Sequence, residues 1–186
     1  MTHMRKIQLI PYNHAQHLES LYEMMMDPDE QMLFMATLRC NSLRSFDGWI
    51  EQRMHDTYHD FFMIKYAGDQ RVIGFVYATE MRIIDAHCKI ATYILPAERR
   101  IGIGALATIT FLRFLFDTYP LNQVFSEVYD YNADSLQNHI DAHFHEDGVL
   151  KEYRFYAGRY HDLHIFSLSR ASFDSTLSPL LRQLRE

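Results

Sequence analysis

The stretch YILPAERRIGIGALATITFLRFLF, Tyr93 to Phe116, restricts the chain more than any other. A strand-like run stops at Pro96, two arginines follow, and Gly102 and Gly104 open a long apolar helix. The chain has only 7 glycines, so a pair at a helix mouth needs a reason. Glycine removes side chains where backbone must come close to something. A helix mouth carries unpaired N–H groups and the positive end of the macrodipole, which suits an anion such as a phosphate. A tight strand-to-helix turn without a ligand would use the same residues, so the rest of the chain must decide.

At 186 residues, one domain over 1–186 is expected, with room for a substantial core. A hydrophobic fraction of 48% and an aromatic fraction of 14% exclude disorder. No apolar run approaches the roughly 18 residues of a membrane span. The start, MTHMRKIQLIPYN, has no long apolar h-region and no small-residue cleavage site, so no signal peptide is expected. Cys40 and Cys88 make no disulfide framework, which points to a reducing, cytoplasmic setting. The net charge of −6 argues against nucleic acid, whose phosphates call for clustered Lys and Arg, and suits a cationic substrate.

Periodicity orders the elements. KIQLIPY, Lys6 to Tyr12, reads as a strand. Leu18, Leu21, Tyr22 and Met25 mark a helix over 14–26, and Phe46, Trp49, Ile50 and Met54 a second from about Ser42 to Tyr58. DFFMIKYAGDQRVIGFVYATEMRI reads as two strands joined at Ala67–Gln70. AHCKIATYIL is a fourth strand, with the apolar helix after it. NQVFSEVYDY is a fifth strand, and Asn132 opens a helix to about Phe144. LKEYRFYAG and RYHDLHIFSLS close the chain as strands. The order β-α-α-β-β-β-α-β-α-β-β implies an α/β (α+β) fold, a mixed sheet with helices on both sides.

This order, with the segment Arg99-Arg100-Ile101-Gly102-Ile103-Gly104, resembles the GNAT superfamily of acetyl-CoA-dependent N-acetyltransferases and its pattern [Q/R]-x-x-G-x-[G/A]. YNADSLQNHIDAHF resembles the superfamily's N-x-x-S-x-x-L-Y-x-K-x-G-F. Asn132, Ser135 and Phe144 fall on that pattern, whereas Asn138, His139, Asp141 and His143 depart from its Leu, Tyr, Lys and Gly. The resemblance spans residues 5–169. It is nearest the branch of ribosomal-protein N-terminal and spermidine acetyltransferases, with amino-sugar acetyltransferases close by. It implies a mostly antiparallel sheet of about seven strands, an acceptor-side N-terminal half, and an acetyl-CoA-binding core at 88–144. Within that core it places Arg99, Arg100, Ile101, Gly102, Ile103, Gly104 and Ala105 around the pyrophosphate, Asn132 at the pantetheine, and Ile94 or Leu95 as oxyanion donor.

The implied activity is direct acetyl transfer from acetyl-CoA to a primary amine, on a small molecule such as a polyamine or amino sugar, or on a protein N-terminus. An alkylammonium with a pKa near ~10.4 must lose a proton before attack. Base candidates are Glu80, Glu127 and His87, and Glu127 sits among apolar neighbours. On the Asn132 helix, Ala133, Leu136, Ile140 and Phe144 are expected as the apolar stripe. Ser135 and His139, on its flank, are candidate acids. The His55/His59 and His139/His143 pairs have helical spacing, but no Cys partners or H-E-x-x-H pattern accompany them, so no metal is expected. RYHDLHIFSLS can support a homodimer. The alternative is a non-catalytic acyl-CoA-binding or sensing module, favoured by the departures around His139.

Overall fold

A computed structural model of the chain describes residues 6–28, 30–34 and 40–183, with backbone alone at 100–101 and 182–183. The residues read for a signal peptide at 1–5 lie outside this range. The strands are β1 (Ile7–Pro11), β2 (Tyr58–Tyr66), β3 (Val72–Arg82), β4 (His87–Ile94), β5 (Gln123–Tyr129), β6 (His145–Tyr156) and β7 (Arg159–Ser169). The helices are α1 (His14–Met26), α2 (Leu43–Asp56), α3 (Ile103–Thr118), α4 (Ala133–Asp141) and α5 (Arg170–Gln183). The strands form a seven-stranded sheet in the order β1-β2-β3-β4-β5-β7-β6. β4 runs parallel to β5, and β1–β2, β2–β3, β5–β7 and β6–β7 are antiparallel. The expected mixed, mostly antiparallel sheet is therefore present.

Two boundaries and one element differ from the sequence reading. β6 begins at His145 rather than Leu150, and α4 stops at Asp141 rather than near Phe144. The helix α5 was absent from the expected order. Ser172, Ser175, Thr176 and Pro179 dilute its helical signal, and it forms through packing: Phe173, Leu177 and Leu181 are buried at helical spacing. Arg170, at its start, donates to the carbonyls of Phe116, Tyr119 and Leu121 at 2.7–2.9 Å. These are orphan acceptors at and just beyond the end of α3, and a guanidinium fork satisfies several at once.

Contacts gather in two compact units. The first holds the residues up to Glu80 together with Thr92–Phe111; the second holds Met81–Ala91 and the chain from Leu112 onward. In the first, Asn13 and Ser42 cap α1 and α2, Ser42 through a reciprocal pair with Ser45. Leu21, Met24, Met25, Phe46 and Ile50 from these helices pack with Phe61, Met63, Phe75 and Tyr93 from the strands. Met24 and Met25 thus serve this core. Gly74 lies under the end of β4, where an ideal Cβ would stand 2.1 Å from the Tyr93 carbonyl oxygen and 3.1 Å from Ile94 Cα. Only a residue without a side chain allows that approach.

Gly74→Ala is therefore expected to lower stability by about 1–3 kcal/mol or more, read as a lower urea midpoint, because backbone has to move. An unchanged midpoint would remove this packing constraint.

Candidate active site

In the first unit, Pro96–Ile101 forms a tight helical turn between β4 and α3. Two acidic anchors hold it. Glu98 accepts from Tyr66 Oη at 2.6 Å and from Arg71 Nη2 at 3.2 Å. Arg99 donates through Nε to the Ile94 carbonyl at 2.9 Å, pairs through Nη2 with Glu30, and lies 5.4 Å from the Tyr93 ring centroid. Of Arg100 and Ile101 only the backbone contribution is described.

Gly102 then takes φ 72°, ψ 7°, the left-handed region. A Cβ there would meet nothing within 4 Å, so the glycine answers a backbone demand and leaves open space beside it. A Cβ on Gly104 would only touch Ile94 Cγ1 at 3.5 Å, an ordinary contact. The first bond of α3 runs from Leu106 N–H to Gly102 O at 3.1 Å. The amides of Ile103, Gly104 and Ala105 precede it, at the positive end of a 16-residue helix. This is a mouth suited to an anion.

Of the two amides expected as oxyanion donors, Leu95 N–H is committed to Ile73 O at 2.9 Å. That leaves Ile94. Glu80, near the end of β3, is exposed and holds φ 49°, a left-handed conformation that carries strain on a non-glycine residue.

In the second unit, the described pairing of β4 with β5 stops at Lys89↔Phe125, whereas β5 pairs with β7 as far as Tyr129. His87, Lys89, Phe125 and Glu127 share one side of these strands. Glu127 is not surrounded by apolar groups alone, since Lys89 Nζ lies 2.7 Å from its carboxylate. The sequence reading missed Lys89. Strand alternation from His87, with Glu127 beside it, is the signal that could have found it. His87 Nδ1 is buried without a hydrogen-bond partner, and its ring stands edge-on to Phe125 at 5.4 Å.

Asn132 caps α4 by accepting from Ser135 N–H at 3.3 Å. The apolar stripe expected on α4 turns inward only in part: Phe144 is buried and Leu136 half-buried. Ile140 is 58% exposed and Ala133 is exposed, while His139 turns inward. Its Nδ1 lies 2.7 Å from Ser135 O and so carries the proton; its Nε2 accepts from Ser126 Oγ at 2.9 Å. The ring stacks on Phe166 and meets Phe144 edge-on. Both nitrogens are thus engaged within the fold. His143, at the glycine position of the pattern, takes φ 57°, the backbone conformation that a glycine would supply.

The histidine pairs also separate. His55 is in α2 and His59 in β2, where each lies beside its neighbouring aspartate. His161 lies 2.6 Å from Asp130, and His164 2.5 Å from Glu146. Among the described residues, no group of three His, Cys, Asp or Glu side chains is arranged to hold a metal ion. No described helix is long and apolar enough to cross a membrane.

The Acetyltransferase (GNAT) domain family model matches residues 6–145. The SPbeta prophage-derived uncharacterized N-acetyltransferase YokL of Bacillus subtilis is 24% identical over 131 residues, 68% of this chain and 70% of that protein. A crystal structure of spermidine N-acetyltransferase from Vibrio cholerae, in complex with CoA and spermine, superposes with a TM-score of 0.81. It has 18% identity and covers 90% of this chain and 98% of the other. A dodecameric structure of the Vibrio cholerae enzyme gives 0.76 at 18% identity, covering 90% and 96%. The chain belongs to the GNAT acetyltransferase family, and its activity is acetyl-CoA-dependent transfer of an acetyl group to an amine. No observation favours the non-catalytic module.

Gly102→Val, a branched residue at positive φ, is expected to weaken acetyl-CoA binding at least about tenfold by calorimetry. Gly104→Ala should stay within about threefold. Equal effects would mean that the turn does not cradle the cofactor.

Burial holds His139 and His17 below the usual pKa of 6.5. Each takes up a proton less readily folded than unfolded, so stability should fall as pH drops through and below 6.5. In chemical unfolding from pH 7.5 to 5, about 7.5 to 5 being the range that spans an ordinary histidine, His139→Phe should flatten the slope. An unaltered slope would count against a desolvated His139.

Proposed function

We propose that the acceptor is a cationic small-molecule amine of the polyamine type, rather than an amino sugar or a peptide N-terminus. The supporting observation is an open surface depression of about 540 Å³ in the first unit, lined by Tyr12, His14, Glu51, Tyr58, His59, Asp60 and Phe61 among others. Carboxylates beside aromatic faces suit an ammonium group. The reported Vibrio cholerae structure carries spermine, and the acidic balance of the chain agrees.

The cofactor side follows the same logic. We assign the backbone of Arg99–Ala105 to the pyrophosphate and Asn132 to the pantetheine. Ile94 N–H stabilises the developing oxyanion. The amine nitrogen attacks the thioester carbonyl carbon; the C–N bond forms, the C–S bond breaks, and the amine proton passes to a carboxylate. Glu80 and Glu127 are the candidates for that base, Glu127 oriented by Lys89. The thiol, with a pKa near ~8.5, leaves as thiolate, so a hydrogen bond from Ser135 suffices and His139 acts by holding α4. The reading treats 1–186 as a single acetyltransferase domain in the cytoplasm, with nucleic acid and membrane absent from its partners.

Assembly is a further part of the proposal. β7, the amphipathic strand that can support a homodimer, is paired on both sides, by β5 and β6. The outer strand is β6. With β7 it exposes Leu150, Tyr153, Phe155 and Tyr160, which fits a homo-oligomer.

Release of CoA thiol from acetyl-CoA with a panel of polyamines, amino sugars and peptides tests the acceptor. The expected outcome is the highest kcat/KM on polyamines, with Glu80→Gln or Glu127→Gln lowering kcat by about 100-fold for whichever is the base. Preference for peptide N-termini, or full activity in both variants, would overturn the assignment.

A further inference from the structure

Arg99 occupies the first position of the cofactor-loop pattern, and a cation beside a pyrophosphate invites the role of a phosphate ligand. Its guanidinium is employed otherwise. Nε is spent on the Ile94 carbonyl and Nη2 on Glu30, and the guanidinium carbon lies over the Tyr93 ring, 5.4 Å from its centroid. The partner is unusual as well. Glu30 is 7% exposed, a carboxylate that would be isolated in the interior without Arg99. It sits in the connection between α1 and α2, where Glu30 N–H bonds Asp27 O at 3.1 Å and Leu33 N–H bonds Glu30 O at 2.9 Å. Phe34, one turn on, packs on Phe75 at 5.8 Å and on Tyr93 at 5.2 Å. The connection is therefore rooted in the core of the first unit.

We propose that Arg99 is a positioning residue, a latch that ties the turn before α3 to the α1–α2 connection through Glu30, and that acetyl-CoA affinity depends on the pair. Arg99 does not bind phosphate with its side chain. The latch fixes Pro96–Ile101 from one side while Glu98 fixes it from the other through Tyr66 and Arg71. The direction of the Ile103–Ala105 amides follows from where that turn is held. A guanidinium is required because one group must donate along two directions at once, to the Ile94 carbonyl and to Glu30; a lysine offers a point charge. The inference rests on acetyl-CoA binding at this turn.

The test is a double-mutant cycle on the full chain, with acetyl-CoA affinity measured by calorimetry well below each variant's melting temperature. Glu30→Gln and Arg99→Gln should each weaken binding by about 5–20-fold, and the double variant should be no weaker than either one. Arg99→Lys should also weaken binding. At saturating acetyl-CoA, kcat should stay near wild type while KM for acetyl-CoA rises, a split that general loss of folded protein would not produce. Unchanged or tighter binding by Glu30→Gln, with Arg99→Lys close to wild type, would overturn the latch and make Arg99 a phosphate ligand. Absence of acetyl-CoA binding by the wild-type chain would instead retire the cofactor site on which the latch depends.

Discussion

The left-handed residue at Gly102 is the constraint on which the cofactor side depends. The chain leaves β4 at Ile94, tightens over Pro96–Ile101, and must reverse into α3 without covering the first amides of that helix. A positive φ achieves the reversal in one residue, and the missing Cβ leaves the approach clear. Around it, Glu98 and Arg99 hold the turn from opposite partners. Gly74 lets the end of β4 lie close against β3. A phosphate would find three adjacent amides whose direction has been fixed before it arrives, and such preorganisation reduces the entropy lost on binding.

Electrostatics divides the residues of the site by task. Carboxylates in the turn are consumed by structure: Glu98 by Tyr66 and Arg71, and Glu30 by Arg99. The two carboxylates proposed as bases lie elsewhere. Glu80 is exposed on a strained backbone, and Glu127 is half-buried beside Lys89. Histidine is abundant but mostly structural. His17 accepts from the Asn13 amide at 2.9 Å, His161 is 2% exposed against Asp130, and His139 joins α4 to β5.

The sequence carried the parts of this structure that local rules govern. Alternation and helical spacing gave β1, α1, β3, β4 and β5 nearly to the residue, and the glycine pair located the turn. It failed where tertiary contacts decide. α5 forms because Phe173 and Leu177 find a core and Arg170 finds the end of α3, none of which a Ser-rich segment announces. Part of the inward face of α4 was misread because an imidazole, hydrogen-bonded to Ser126 and stacked on Phe166, took the inward place expected of Ile140. Hydropathy ranks Ile140 above His139; satisfied hydrogen bonds reverse that order. Leu95 as oxyanion donor failed likewise, because its partner Ile73 is 22 positions away in sequence.

Hydrogen–deuterium exchange at single-residue resolution, with and without CoA, addresses the central claim most directly. The account predicts that CoA slows exchange of the Ile103, Gly104 and Ala105 amides. Bound CoA with those three amides exchanging at their free rate would contradict it, whatever else in the chain became protected.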